Sequence, residues 1–430
     1  MNESKLKISI GGLLHDTGKV LYRGSDGRNH SKSGHDFLKE EAKINDTDIL
    51  EQVLYHHGKL LKDANISDSS FAYITYIADN ISAGLDRRKE DEDSTGYAFD
   101  KSMPLQSVFN ILNGNNQKYV YKPTTLETGG GINYPTDTEV EFSSSFYEKI
   151  KDNIKDSLLG IEFIEEYINS LLEVLEANLT FIPSSSSTNE LGDVSLYDHA
   201  KLTAAVGCCI YDYLEEKGIK NYKQALFDES INFYNEKAFM IYSMDISGIQ
   251  DFIYTIISKN ALKNLRSRSF YLEIMLEHII DELLNQLELS RANVIYTGGG
   301  HAYLILANTG LTKEIIAKFE KDTNNWFIET FNIALYIAGG YSICSANDLK
   351  NQPKGSYKEI FREISRKISE KKLQRYNYDE IIRLNSDNIP DGERECKVCK
   401  RSDKLSSEEK CEICDALENF SSQIIDEKKE

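Results

Sequence analysis

Nine residues near the start of the chain, Gly11-Gly12-Leu13-Leu14-His15-Asp16-Thr17-Gly18-Lys19, are the densest in chemical potential. An imidazole and a carboxylate side by side can share a divalent cation, or each take one of a close pair. Such a cation polarises a phosphoryl oxygen and lowers the pKa of bound water. Lys19 stands one helical turn beyond the pair, within reach of a phosphate. A His-Asp dipeptide arises often by chance, so its weight depends on further ligands. The chain supplies them: six of its eight histidines lie in the first 200 residues. The candidates are His30, His35, His56 and His57, then Asp79 in Ile77-Ala78-Asp79-Asn80, and His199 in Tyr197-Asp198-His199. Imidazole and carboxylate together suit a dication such as manganese, nickel, cobalt or iron. Two adjacent ions would suit in-line phosphodiester hydrolysis.

Each candidate also has a structural explanation. A lone histidine on a helix, His35 above all, is commonly a satisfied surface or core residue. Asp79 can cap a helix, and Asp198-His199 can mark a helix start. Co-occurrence of all of them in one helical region favours the metal reading.

A second constellation lies further on. In Met244-Asp245-Ile246-Ser247-Gly248-Ile249, Asp245 is expected at a strand end. Ser247 and Gly248 would turn into a helix whose N–H groups face a phosphate. Gly298-Gly299-Gly300-His301 reads as a hairpin turn between apolar strands. Polymerase and cyclase palms carry an acidic pair on such a hairpin to hold Mg²⁺; here Gly300 and His301 occupy it. A third constellation is Cys396-Lys-Val-Cys399 with Cys411-Glu-Ile-Cys414, two knuckles separated by eleven residues. Four thiolates so spaced fit a tetrahedral structural Zn²⁺.

The elements that position these groups follow from periodicity. Helices are expected over 8–22, 36–42, 48–61 and 68–84, then 146–180 and 195–216. Asp86 to Ser94 is a charge run and reads as a solvated loop. Residues 100–146 are rich in turn formers, an exposed excursion with short strands. Ser184 to Thr188 reads as a mobile loop. From residue 239 the pattern changes to β-α-α-β-β-α-β, which predicts an antiparallel sheet backed by helices, ferredoxin-like or palm-like. A final helix is expected over 355–371, before the cysteines.

Composition sets the frame. A chain of 430 residues can bury two or three cores. The net charge of −19 argues against a general nucleic-acid scaffold, though not against a nuclease whose metals carry positive charge. No apolar run approaches the ~18 residues of a membrane span. The short charged start is unlike a signal peptide. With Cys208, Cys209 and Cys344 read as buried thiols, this points to a reducing, cytoplasmic setting.

Here a resemblance enters. His15-Asp16-Thr17-Gly18-Lys19 resembles the signature of HD-superfamily phosphohydrolases. Tyr197-Asp198-His199-Ala200-Lys201-Leu202-Thr203-Ala204-Ala205 is similar to the helix that carries the first histidine of that superfamily. Ordinarily that helix precedes the His-Asp helix; here it follows, so the order looks circularly permuted. Asp79 would match the closing aspartate. This permutation is similar to that of one family, the large subunit of type III CRISPR–Cas effector complexes, in its III-A (Csm) form. The likeness runs essentially the whole length, through 75–88, 195–205, 238–254 and 267–307.

The resemblance implies an α+β multidomain fold. A permuted all-α HD domain would occupy 1–232, a first, degenerate palm 237–350, and a helical linker with the zinc cysteines 351–430. It implies a metal-dependent single-stranded DNA nuclease within an RNA-guided antiviral complex. His15, Asp16, His56, Asp79 and His199 would hold the metal, with Lys19 beside them. Asp245, Ser247, Gly248, Gly299 and Gly300 would form half of an ATP site. Implied partners are single-stranded DNA, ATP with Mg²⁺, and the other effector subunits with guide and target RNA. The family's second palm, bearing Gly-Gly-Asp-Asp, would follow the cysteines. It is missing, so the chain looks like an N-terminal portion, in which cyclic oligoadenylate synthesis should fail. Two other classes remain: an HD phosphohydrolase of small nucleotides, and a non-catalytic assembly subunit.

Overall fold

The computed structural model describes residues 1–24, 26–86, 99–114, 116–159, 161–257, 260–386 and 394–426. The charge run beyond Asp86 lies outside them. Up to Phe233 the described elements are helical; from Phe239 a four-stranded sheet begins.

The helix Glu3–Leu14 starts where the Asn2 side chain accepts from the Lys5 N–H at 2.9 Å, satisfying an orphan donor. It buries Ile8, Ile10, Leu13 and Leu14 against the helices Thr47–Tyr55 and Leu196–Glu216. Leu196–Glu216 packs in turn on Ala72–Asp86. These four helices frame the first core. Their starts are written in the sequence: Asp46 caps Ile49 N–H at 3.1 Å and Ser195 caps Asp198 N–H at 2.9 Å.

Three expected helices are broken. The one expected over 8–22 ends at Leu14 and resumes as Gly18–Arg23. The one expected over 48–61 breaks between Tyr55 and Gly58, and that over 146–180 divides into Ser144–Leu158 and Ile168–Leu179. At the first two breaks an imidazole turns back onto its own chain. His15 Nδ1 donates to Gly12 O and His56 Nδ1 to Val53 O, each at 2.7 Å. The helix around 36–42 is His30–Asp36 followed by one wide turn, Phe37–Glu41.

Residues 100–146 form turns with isolated antiparallel bridges at Gln106–Val120 and Val120–Thr136. Leu112, Ile132 and Tyr134 are exposed there. The serine run is not the free loop its composition suggests. Ser184, Ser185 and Ser187 are buried. Ser184 O accepts from Lys19 at 2.8 Å, Ser185 O from the buried Arg23 at 3.4 Å, and Ser187 bridges Phe99.

The sheet contains β1 (Phe239–Ser247), β2 (Val294–Gly298), β3 (His301–Ala307) and β4 (Tyr336–Cys344) in the order β2-β3-β1-β4, all antiparallel. Helices Ala261–Gln286 and Gly310–Phe331 supply the crossovers, the βαββαβ pattern of a ferredoxin-like palm. β1 is central and buried at every position. The helix Ser356–Leu373 packs on β4 and β1 through Ile360, Ile364 and Ile368. Leu196–Glu216 also packs on β3, and Asn293 Nδ2 donates to Ala205 O at 3.5 Å across this junction. After a two-strand ribbon, Arg394–Glu395 with Ser402–Asp403, the helix Glu412–Asp426 lies on Ala261–Gln286. No helix among the described residues is long and apolar enough to cross a membrane.

Candidate metal centre and palm

Small residues bring the HD ligands together. A Cβ on Gly12 would sit 2.7 Å from Ala204 Cα, so glycine there lets the His15 helix seat against the helix of His199. A Cβ on Gly18 would sit 1.8 Å from His30 O, so that glycine admits the His30 segment. The result is two groups whose ligand atoms lie within 4.8 Å of one another: His15, Asp79 and His199, and His30, His56 and His57.

Asp16 stands between the groups. Its Oδ2 is 3.3 Å from His15 Nε2 and 3.4 Å from His199 Nε2. Its Oδ1 is 3.5 Å from His30 Nε2 and 3.6 Å from His56 Nε2. One carboxylate therefore offers one oxygen to each triad. Asp79 Oδ1 accepts from His199 at 3.1 Å, and its Oδ2 lies 3.8 Å from His57 Nδ1. His30 and His57 are in contact through their Nε2 atoms at 2.7 Å. His35 is not in the cluster; it pairs with Asp36 at 3.0 Å.

The donor set fits dications. A backbone carbonyl can only accept, so Nδ1 carries the proton in His15 and His56, and each Nε2 lone pair faces the centre. Those two nitrogens and Asp16 Oδ1 are buried with no hydrogen-bond partner, which is costly unless something cationic sits among them. Second contacts that fix the tautomer are characteristic of metal-binding histidines. Burial pulls His56 and His57 down to about 3 and His30 to about 4, so these rings are neutral at pH 7. Burial opposes protonation of His15 too, but the charges of Asp16 and Asp79 outweigh it and raise its pKa. Burial would push Asp16 up, yet Lys19 and His15 hold it well below the usual carboxylate range. Asp79 is likewise lowered, against its burial, by His15 and His199.

Lys19 Nζ pairs with Asp16 Oδ2 at 2.5 Å as well as with Ser184 O. It lines a cleft of about 450 Å³ that opens over His30 and His57, with Tyr22 and Phe99 in its walls.

The palm residues are placed less freely than a nucleotide site needs. Asp245 faces His301 in the β1–β3 register, 2.7 Å from its Nε2, and Lys372 binds the same carboxylate. Ser247 ends β1 with a buried hydroxyl that has no partner. Gly248 turns at φ 93°, and a Cβ there would strike Ala334 O. The helix it opens, Ile249–Tyr254, is under two turns long. Gly299 and Gly300 make the hairpin with φ of 59° and 85°.

The four cysteines converge as their spacing predicts, with sulfur atoms within 4.8 Å. Lys400 takes the left-handed conformation, φ 62°, that closes the first knuckle. Arg268, buried, donates to Cys414 Sγ at 3.3 Å and to Phe252 O at 3.0 Å. It lies 4.8 Å over the Phe252 ring, so the cysteine knuckles are tied to the palm. Cys208, Cys209 and Cys344 are buried elsewhere, and burial raises all three thiols.

A helical cluster of five histidines and two aspartates, joined to a ferredoxin-like palm and a four-cysteine knuckle, defines a multidomain HD–palm protein. Known families agree. Residues 1–84 match the HD domain, and residues 238–387 match the Csm1 subunit domain B. The chain is 43% identical to the single-strand-specific deoxyribonuclease Cas10/Csm1 of Enterococcus italicus, over 98% of this chain and 57% of that protein. It is 42% identical to the Streptococcus thermophilus counterpart, over 99% of this chain and 57% of that protein. A crystal structure of a Csm1–Csm4 cassette in complex with AMPPNP superposes with a TM-score of 0.69 at 25% identity, covering 91% of this chain and 53% of that one. The chain belongs to the Cas10/Csm1 family of subtype III-A CRISPR systems. It spans 57% of the length of these relatives.

Proposed function

We propose that this chain carries the metal-dependent single-stranded DNA nuclease centre of a type III-A RNA-guided effector. The observation that carries this is the Asp16 carboxylate set between two ligand triads. His15, Asp79 and His199 would hold one dication; His30, His56 and His57 the other, with Asp16 shared. His30 and His57 thereby extend the set expected from sequence. Manganese, nickel or cobalt suits these ligands.

Bound dications supply charge stabilisation at the phosphoryl oxygens and an activated water. The chain's own residues do the rest. The carbonyls of Gly12 and Val53 orient the His15 and His56 rings. Lys19 holds one Asp16 oxygen in place and presents the remainder of its ammonium to the cleft, where a phosphate would lie.

The palm is read as half of an ATP-binding and oligoadenylate-forming site, with Gly248, Gly299 and Gly300 shaping the backbone and Ser247 offering a hydroxyl. Mg²⁺ and ATP would be engaged fully only with a second palm. The cysteine knuckles would hold structural zinc. The division into 1–232, 237–350 and 351–430 follows these roles, with Ser356–Leu373 docked on the palm. Other effector subunits, guide RNA and target RNA are the partners this reading implies, in the cytoplasm.

The test is the double substitution His15→Ala with Asp16→Ala. Single-stranded DNA cleavage with Mn²⁺ should be abolished while the thermal melt stays cooperative. Undiminished cleavage would remove the nuclease assignment.

A further inference from the structure

Only two members of the HD cluster are substantially open. The His57 side chain is 36% exposed and that of His30 24%, whereas His15, His56 and His199 are fully buried and Asp16 and Asp79 nearly so. Both open rings line the 450 Å³ cleft. A phosphodiester that reaches the cluster on the side described here therefore crosses this cleft. Two aromatic rings line it as well. Tyr22 sits on the same short helix as Lys19. Phe99 is 63% exposed, and its backbone is fixed by a bridge to Ser187.

Among the described residues the cleft walls hold two cations, Lys19 and Arg28, and both already have carboxylate partners. Lys19 is paired with Asp16, and Arg28 donates to Asp26 at 2.8 Å and to Asp36 at 2.7 Å. Beyond the part of the Lys19 ammonium that faces the cleft, the described walls offer little to a strand held mainly through its phosphates. A strand held by its bases would find the exposed Phe99 ring beside the half-buried Tyr22, and any base can stack on an aromatic face.

We propose that Phe99, supported by Tyr22, forms a stacking subsite for an unpaired nucleobase next to the scissile phosphate. The inference rests on the nuclease reading above and adds the feature that selects single strands. Paired bases have both faces covered by their neighbours and cannot stack there. The subsite has no base preference, because every base presents a π face. Binding should also depend only weakly on salt, since few phosphates are neutralised.

The test uses the 430-residue chain and two readouts. In the first, a single strand carrying 2-aminopurine is bound in chelator, so that it stays intact. Stacking quenches its fluorescence in the wild type, Phe99→Ala loses the quench, and Phe99→Tyr keeps it. In the second, Mn²⁺-dependent kcat/KM is compared for a strand with normal bases and one with abasic sites. Phe99→Ala should narrow the ratio between the two strands roughly tenfold, as loss of one stacked base would. No quench in the wild type, or a quench indifferent to both Phe99→Ala and Tyr22→Ala, overturns the subsite even if cleavage persists. A Phe99-dependent quench without any cleavage upholds the subsite and removes the nuclease reading instead.

Discussion

His301 Nε2 lies 2.7 Å from Asp245 Oδ2, in register across the two middle strands of the palm. The same carboxylate also binds Lys372, from the helix that covers the sheet. At the position where a working palm keeps free acidic groups for Mg²⁺, this palm has one aspartate already paired with two basic side chains. The hairpin itself has Gly300 and His301 where such palms carry their acidic pair.

It follows that the chain alone makes no cyclic oligoadenylate. Incubation with labelled ATP and Mg²⁺ should return ATP unchanged, with weak binding at most, since half an interface leaves most of the nucleotide exposed. Adenylate chains formed by this chain alone would show that the pairing of Asp245 is no obstacle. Their appearance only after adding a second palm would support the division of labour proposed above.

The cysteine knuckles should carry one zinc per chain. Cys396→Ser should lower the zinc content and loosen the ribbon and the final helix, because metal binding and local folding are coupled. HD chemistry should be untouched. Arg268→Ala removes the stack on Phe252 and the bonds to Cys414 Sγ and Phe252 O, and should cost about 2 kcal/mol. Elemental analysis of protein never exposed to chelator checks the first statement, and denaturant melts check the second. Protein purified without zinc would contradict the assignment.

Much of this was legible in the chain. Cysteine spacing alone brings four sulfurs together, because each knuckle is local. The element order of the palm and its antiparallel sheet followed from the alternation of apolar runs and helices. The HD motif announced His15 and Asp16. His30 and His57 stood among the sequence candidates, but their place beside Asp16, and the exclusion of His35, was not legible, since it depends on how separate helices pack. The signals that point to it are glycines. Gly12 and Gly18 are spaced for contact with Ala204 and the His30 carbonyl, and nothing in the local pattern says so. The burial of Ser184 to Ser187 was hidden for the same reason: polar composition says loop, while Lys19 and Arg23 bury it through its carbonyls. Asp245 and Lys372 are 127 residues apart, beyond any periodicity argument.

Gly12 offers a way to disturb the centre without touching a ligand. Gly12→Val forces its side chain against Ala204 and pushes the His15 helix away from that of His199. Overpacking of this kind costs about 1–3 kcal/mol. Mn²⁺ affinity should fall by at least about tenfold, the loss that even outer partners of metal ligands produce. Calorimetric titration alongside a melt reads both. Unchanged affinity at reduced stability would mean that the two triads do not depend on this contact.

The central claim is that Asp16 joins two ions. Electron paramagnetic resonance of the chain titrated with Mn²⁺ tests it most directly. Two manganese ions should bind per chain with spectra that show magnetic coupling, and that coupling should be lost in Asp16→Ala. One ion per chain, or two uncoupled ions unaffected by Asp16→Ala, would contradict it.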